Sequence, residues 1–131
     1  MAILIVWDDS DGLYDHVAPP LVNTSNTSQD ALTGPRACGQ SQPGAYQGRC
    51  GYGPRLPFLV ISPFAKRNFV DSTQTDQTSV IRFIEDNWGL GRIGDQSFDE
   101  LAGSIENMFD FSRNGEPRRV FLDPVTGQRI E

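Results

Sequence analysis

The sequence is poor in residue types that usually carry site chemistry. Its 131 residues hold one histidine, His16, one lysine, Lys66, and two cysteines, Cys38 and Cys50. Two thiols do not make a zinc site, which normally takes four ligands, and His16 is distant in sequence from both. No run approaches the roughly 18 to 20 apolar residues of a membrane span. The 17 acidic side chains outnumber the 11 basic ones and leave a net charge of −6, which repels phosphate backbones and argues against nucleic-acid partners. The opening MAILIVWDD has no basic n-region and no small-residue cleavage site, so this stretch shows no signal peptide of its own. There are no internal repeats.

What remains is enough for one modest domain. Counting glycine and leaving out tyrosine, about 45% of the residues are apolar, the lower edge of the globular range. A chain of this length buries roughly two-thirds of the surface it exposes when unfolded. Apart from Lys66, the basic residues are all arginine. Arginine suits bidentate recognition of phosphate or carboxylate, although genomic base composition accounts for the excess equally well.

Residues 2–7, AILIVW, form a continuous apolar run, as expected of a strand buried on both faces of a parallel or mixed sheet. It ends in the turn cluster DDSDG. Residues 18–55 carry Pro19, Pro20, Pro35, Pro43 and Pro54 and read as one long loop, a length that is usually functional. Within it lie Cys38 and Cys50. A disulfide between them would stabilise by roughly 3 kcal/mol if the geometry and the compartment permit, and two free thiols are the alternative.

From residue 56 onward the chain reads as strand, helices and tail. FLVIS at 58–62 predicts a second strand between Pro57 and Pro63. TDQTSVIRFIEDNWGLG predicts a helix capped by Asp76 or Thr75, with Val80, Ile84 and Trp88 on one face and Gly89 at its end. A second helix is expected over 98–107, where Phe98, Leu101, Ala102 and Ile105 share a face. FLDPVTGQR reads as a strand followed by a turn at Pro124 to Gly127. So few elements make a thin core for a fully buried first strand, and the chain reads as a piece of something larger.

The densest chemistry lies in Asp8-Asp9-Ser10-Asp11-Gly12-Leu13-Tyr14-Asp15-His16, immediately after the first strand. Ligands gather at the carboxyl ends of strands in α/β sheets. Adjacent ionised carboxylates repel each other, and a divalent cation relieves that repulsion. Oxygen ligands suit Mg, Ca or Mn, and a histidine widens the choice to Zn or Fe. The EF-hand pattern fails, because placing Asp9, Asp11 and Gly12 in register puts Trp7 and Ala18 where carboxylates are required. The alternative is a solvated acidic turn. His16 by itself is as readily a hydrogen-bonded structural histidine as a catalytic one.

Three blocks carry a resemblance. Asp8 to Val17 fits D-[DE]-x-D-G-x-[FY]-D-H-V, GYGPRLP with ISP fits G-x-G-x-R-x-P…I-S-P, and Gln77 to Glu85 fits [HQ]-[TS]-S-[VI]-x-R-F-I-E. In this order they resemble the C-terminal part of bacterial phosphoesterases, the acid phosphatase and phospholipase C enzymes related to the alkaline phosphatase superfamily. DALTGPRACG, DQSFDELAG and MFDF extend the similarity toward the acid phosphatase branch, over nearly the whole chain.

The resemblance implies an α/β fold, the C-terminal portion of an alkaline-phosphatase-like three-layer sandwich with a mostly parallel sheet and long loops, incomplete in this chain. Residues 1–131 would be a C-terminal fragment of a catalytic domain, with strand and metal-site loop in 1–17. Asp8 and Asp9 would be ligands of a divalent metal ion, and His16 a proton donor or hydrogen-bond partner near the phosphate. Arg55 would meet a phosphate oxygen or, more in keeping with its setting, form a structural salt bridge. Gln77 stands where the family has histidine, which removes a titratable group. Thr78 and Ser79 read as helix-capping residues ahead of catalytic ones.

The implied reaction is phosphoryl transfer from a phosphate monoester or a phospholipid head group to a metal-activated Ser or Thr, then hydrolysis of the phospho-enzyme. The E-N-R-S-F-D-type segment that supplies an asparagine ligand, and the T-x-P-N-R-type region, are absent from this sequence, and the nucleophile is expected with them. The chain therefore carries half a metal site, and a non-catalytic metal-binding module or an inactive remnant is the alternative. A periplasmic or secreted location goes with the family.

Overall fold

The computed structural model describes residues 1–20, 22, 51–115 and 119–130. Cys38 and Cys50, with the disulfide expected between them, lie outside the described residues, as does most of the loop expected over 18–55.

β1 (Ile3–Val6) and β2 (Phe58–Ile61) form where the sequence predicts strands, because β-branched and aromatic residues favour extended backbone. They pair antiparallel, Ile3 opposite Ile61 and Val6 opposite Phe58. β3 (Phe121–Leu122) and β4 (Arg129–Ile130) form a second antiparallel pair. Its turn is organised by Asp123, whose Oδ1 accepts from the backbone N–H groups of Val125 and Thr126 at 2.9 and 2.7 Å. Gly127 closes it at φ 68°, a left-handed conformation that glycine adopts without a Cβ penalty. The mixed helix and strand content agrees with the α/β expectation. The mostly parallel sheet is not seen among the described residues, where both strand pairs run antiparallel.

The expected burial of the first strand needs correction. Ile3, Ile5 and Val6 are 47%, 41% and 41% exposed, because β1 has a single strand neighbour among the described residues.

α1 (Ser79–Trp88) matches the predicted helix, and Gly89 ends it in the left-handed region. Its start is fixed by Asp76, whose Oδ1 accepts from the Thr78 N–H at 2.7 Å and from the Thr78 hydroxyl, while the Asp76 N–H donates to Ser79 Oγ. Of the apolar residues that share a face of it, Val80 is half-buried while Ile84 and Trp88 are exposed. The helix is held instead by Phe83, stacked on Phe109 with ring centroids 5.0 Å apart, and by Arg82, which donates to the Ala102 carbonyl. Buried Glu85 pairs with Arg92, which also reaches Asp86 at 2.7 Å.

The helix expected over 98–107 is replaced by two 3₁₀ turns, Phe98–Glu100 and Glu106–Met108. Gly103 lies between the two turns. A Cβ there would lie 1.9 Å from the Gln74 carbonyl oxygen, so the backbone passes too close to Gln74 for any other residue. Two residues of the expected apolar face still reach the core. Ala102 and Ile105 are buried, joined by Phe109, and these three make the buried apolar core among the described residues. Asp99, fully buried beside them, accepts from the Ile93 N–H, and a hydrogen bond from Ser97 holds its carboxyl below the usual range.

Candidate functional site at the end of the first strand

Beyond Val6 the chain leaves the sheet and turns through Trp7, Asp8 and Asp9. The Asp9 N–H donates to Asp8 Oδ1 at 3.0 Å and the Asp11 N–H to Asp9 Oδ1 at 2.6 Å. Asp11 sits at φ 51° and Gly12 at φ 80°, so two successive left-handed residues reverse the chain, the Leu13 N–H returning to the Ser10 carbonyl. The local bonds use one oxygen of each carboxylate. Among the described residues, Oδ2 of Asp8 and Oδ2 of Asp9 take no hydrogen bond.

Asp8 and Asp9 line one cleft of about 1010 Å³ together with Tyr52, Arg55, Asp76 and Gln77. The side of the cleft formed by residues 70–78 is held by short turns. Asp71 Oδ1 takes the Thr73 N–H and hydroxyl, leaving its buried Oδ2 without a partner among the described residues. Burial and the charge of Asp76 push the Tyr52 phenol above its ordinary range.

Of the residues singled out in the sequence, Asp8, Asp9 and Arg55 are brought to this cleft and His16 is not among its lining. The His16 side chain is 82% exposed, with Nδ1 3.7 Å from Asp15 Oδ1. The Arg55 guanidinium is engaged by Asp15, to which Nε and Nη2 donate at 2.9 and 2.8 Å. This ion pair is the structural salt bridge, the role more in keeping with the sequence, and it holds the Asp15 carboxyl well below the usual carboxylate range.

The chemistry on offer is hard anionic oxygen. Aspartates on several sides of the cleft, with its arginine already paired, make a site that attracts a cation and repels a free phosphate. Two adjacent carboxylates with unused oxygens fit part of the oxygen shell of Mg, Ca or Mn. Among the described residues no group of three His, Cys, Asp or Glu side chains is placed to complete it.

The sequence did not reveal what Gln77 does. Its amide Nε2 donates to the carbonyls of Trp7 at 3.0 Å and Asp8 at 2.7 Å, across about seventy residues of chain. A side-chain amide reaching two main-chain carbonyls leaves no periodicity or composition signal. The only trace was a glutamine where the resemblance implies a histidine within the third block.

A carboxylate-rich loop at a strand end, lining a cleft, stands where ligands gather in α/β proteins. Residues 1–91 match the model of the Phosphoesterase family, and the chain belongs to that family. It is 35% identical to a non-hemolytic phospholipase C of Pseudomonas aeruginosa over 88% of this chain, and 39% identical to a non-hemolytic phospholipase C of Burkholderia pseudomallei over 64%. It is 28% identical to phospholipase C B of Mycobacterium tuberculosis over 93%. The aligned regions amount to only 18%, 12% and 23% of those relatives. No helix among the described residues is long and apolar enough to cross a membrane.

Proposed function

We propose that this chain supplies part of the active site of a metal-dependent phosphoester hydrolase of the acid phosphatase and phospholipase C type. Asp8 and Asp9 hold a divalent cation through the carboxylate oxygens that the local turns leave unused. The observation that carries this reading is their common exposure, on adjacent residues, to one cleft at the end of β1. The substrate class is a phosphate monoester or a phospholipid head group, the latter supported by the names of the relatives. A bound cation would neutralise charge on the transferring phosphoryl group and lower the pKa of the attacking hydroxyl. The resemblance puts that hydroxyl, the remaining ligands and the rest of the sandwich outside these residues, and transfer would pass through a phospho-enzyme.

His16, exposed on the same loop, acts as proton donor only if the rest of the domain brings substrate to it. Arg55 orients the loop through Asp15. A periplasmic or secreted location goes with the same family, and a Cys38–Cys50 disulfide would agree with it. The lack of a third ligand among the described residues favours a chain that binds metal weakly and turns over little alone. The test is Mn²⁺ binding by calorimetry, with p-nitrophenyl phosphate hydrolysis in parallel. Asp8→Asn and Asp9→Asn keep the Oδ1 acceptor and remove the charge, and each is expected to weaken Mn²⁺ at least 10-fold. Unchanged affinity in both overturns the metal assignment, and robust turnover by the isolated chain overturns the half-site reading.

A further inference from the structure

We propose that Gln77 is a positioning residue that sets the direction of the Asp8 and Asp9 carboxylates by clamping the two carbonyls on either side of the Asp8 peptide nitrogen and carbon. The inference rests on the metal reading of those aspartates. In an extended strand successive carbonyls point to opposite sides. Here the carbonyls of Trp7 and Asp8 converge on one nitrogen, at 3.0 and 2.7 Å, so the chain is turned out of the strand at Asp8 and held there. The loop's other hydrogen bonds over residues 8–13 are local among the described residues, joining Asp9 to Asp8, Asp11 to Asp9 and Leu13 to Ser10. Gln77 therefore ties this loop to a distant part of the fold.

The residue type fits the task. Both partners are acceptors, so the amide nitrogen must face them, and its two hydrogens serve one carbonyl each. Glutamate offers acceptors only. Neutral imidazole would face them with a single N–H, one donor for two carbonyls. The amide is also uncharged, so it adds no repulsion to a cation beside Asp8. Its own mounting is firm. Gln77 lies in the turn that opens α1, where Asp76 Oδ1 takes the Thr78 N–H at 2.7 Å, the Asp76 N–H reaches Ser79 Oγ at 3.0 Å, and Ser79 is buried. The turn that leads into α1 thus fixes the geometry of the acidic loop.

Mn²⁺ binding to the whole chain tests this, with Gln77→Ala, Gln77→Glu and Gln77→Asn beside Asp8→Asn. Gln77→Ala and Gln77→Glu are expected to weaken Mn²⁺ by about 10- to 100-fold, the usual cost of losing a residue that orients a ligand. Gln77→Asn keeps both donors on a shorter arm and is expected to recover part of the loss. Ile105→Val, a core substitution away from the cleft, serves as a stability control and is expected to leave Mn²⁺ affinity unchanged even where it lowers the melting temperature. If Asp8→Asn weakens binding but Gln77→Ala does not, the clamp is wrong and the metal reading stands. If Ile105→Val weakens binding as much as Gln77→Ala, Gln77 is merely structural. If the wild-type chain binds no Mn²⁺, or Asp8→Asn has no effect, the metal reading fails and this proposal with it.

Discussion

Arg55 and Asp15, forty residues apart, meet in a forked ion pair. Nε reaches Oδ2 at 2.9 Å and Nη2 reaches Oδ1 at 2.8 Å, while the Arg55 N–H also donates to Oδ2 at 3.0 Å. With the Val17 N–H on Oδ1, one carboxylate gathers four donors and joins the first sequence block to the second. Lysine cannot make the fork. Arg55→Lys is expected to lower the melting temperature slightly and Arg55→Ala further, since Asp15 would keep only its backbone donors. Both effects stay small, within a few degrees, because the Arg55 side chain is 63% exposed and solvent screens the pair. Thermal unfolding followed by far-UV dichroism measures the order.

The same contact sets a pH dependence. The Arg55 hydrogen bonds, followed by the backbone N–H groups of Val17 and Arg55, hold the Asp15 carboxyl well below its unfolded value of about 3.9. A group depressed in the folded state stabilises above its unfolded pKa and loses that contribution as pH falls through the folded one. Asp86 beside Arg92, Asp99 beside Ser97, Asp110 beside Ser112 and Asp123 in its turn are shifted the same way. The chain is therefore expected to lose stability progressively below about pH 4. Asp15→Asn should melt below wild type near neutrality, with the gap closing in acid. Melting curves from about pH 7 to about pH 2.5 decide it, and a gap that persists in acid would mean the contact is not ionic.

Burial in the described core is concentrated in Ala102, Ile105 and Phe109, and Ile105 is fully enclosed. Ile105→Ala removes three methyl or methylene carbons from a site with little capacity to collapse. The expected loss is about 2–5 kcal/mol, read from urea unfolding. In so small a core that is a large share of the total stability.

Local signals in the sequence survived and long-range ones did not. The apolar runs at 3–6 and 58–61, the helix from Ser79 and its stop at Gly89, and the turn after Asp123 all rest on a few neighbouring residues. Which surface β1 packs against depends on partners a short window does not contain. The 98–107 segment had the right apolar spacing for a helix, yet it folds as two 3₁₀ turns with the backbone passing against Gln74 at Gly103. At the site, Asp8 and Asp9 stood out because like charges are adjacent. The clamp from Gln77 was invisible because one of its ends is main chain.

Gly103 offers a sharp test of that close approach. Its φ is not in the left-handed region, so backbone freedom is not the reason for glycine here; space is. A Cβ would stand 1.9 Å from the Gln74 oxygen and 3.0 Å from the Gln74 carbonyl carbon, main-chain atoms that move only if the 70–78 segment moves. That segment lines the cleft and leads into Gln77, so displacement should reach the acidic loop. Gly103→Ala is expected to cost about 1–3 kcal/mol in urea unfolding, the usual penalty for overpacking. Gly53→Ala, with no atom of the described residues within 4 Å of the added carbon, should stay within about 0.5 kcal/mol of wild type. If Gly103→Ala is equally silent, the 70–78 segment yields to the added carbon without cost, and the close approach does not constrain the fold.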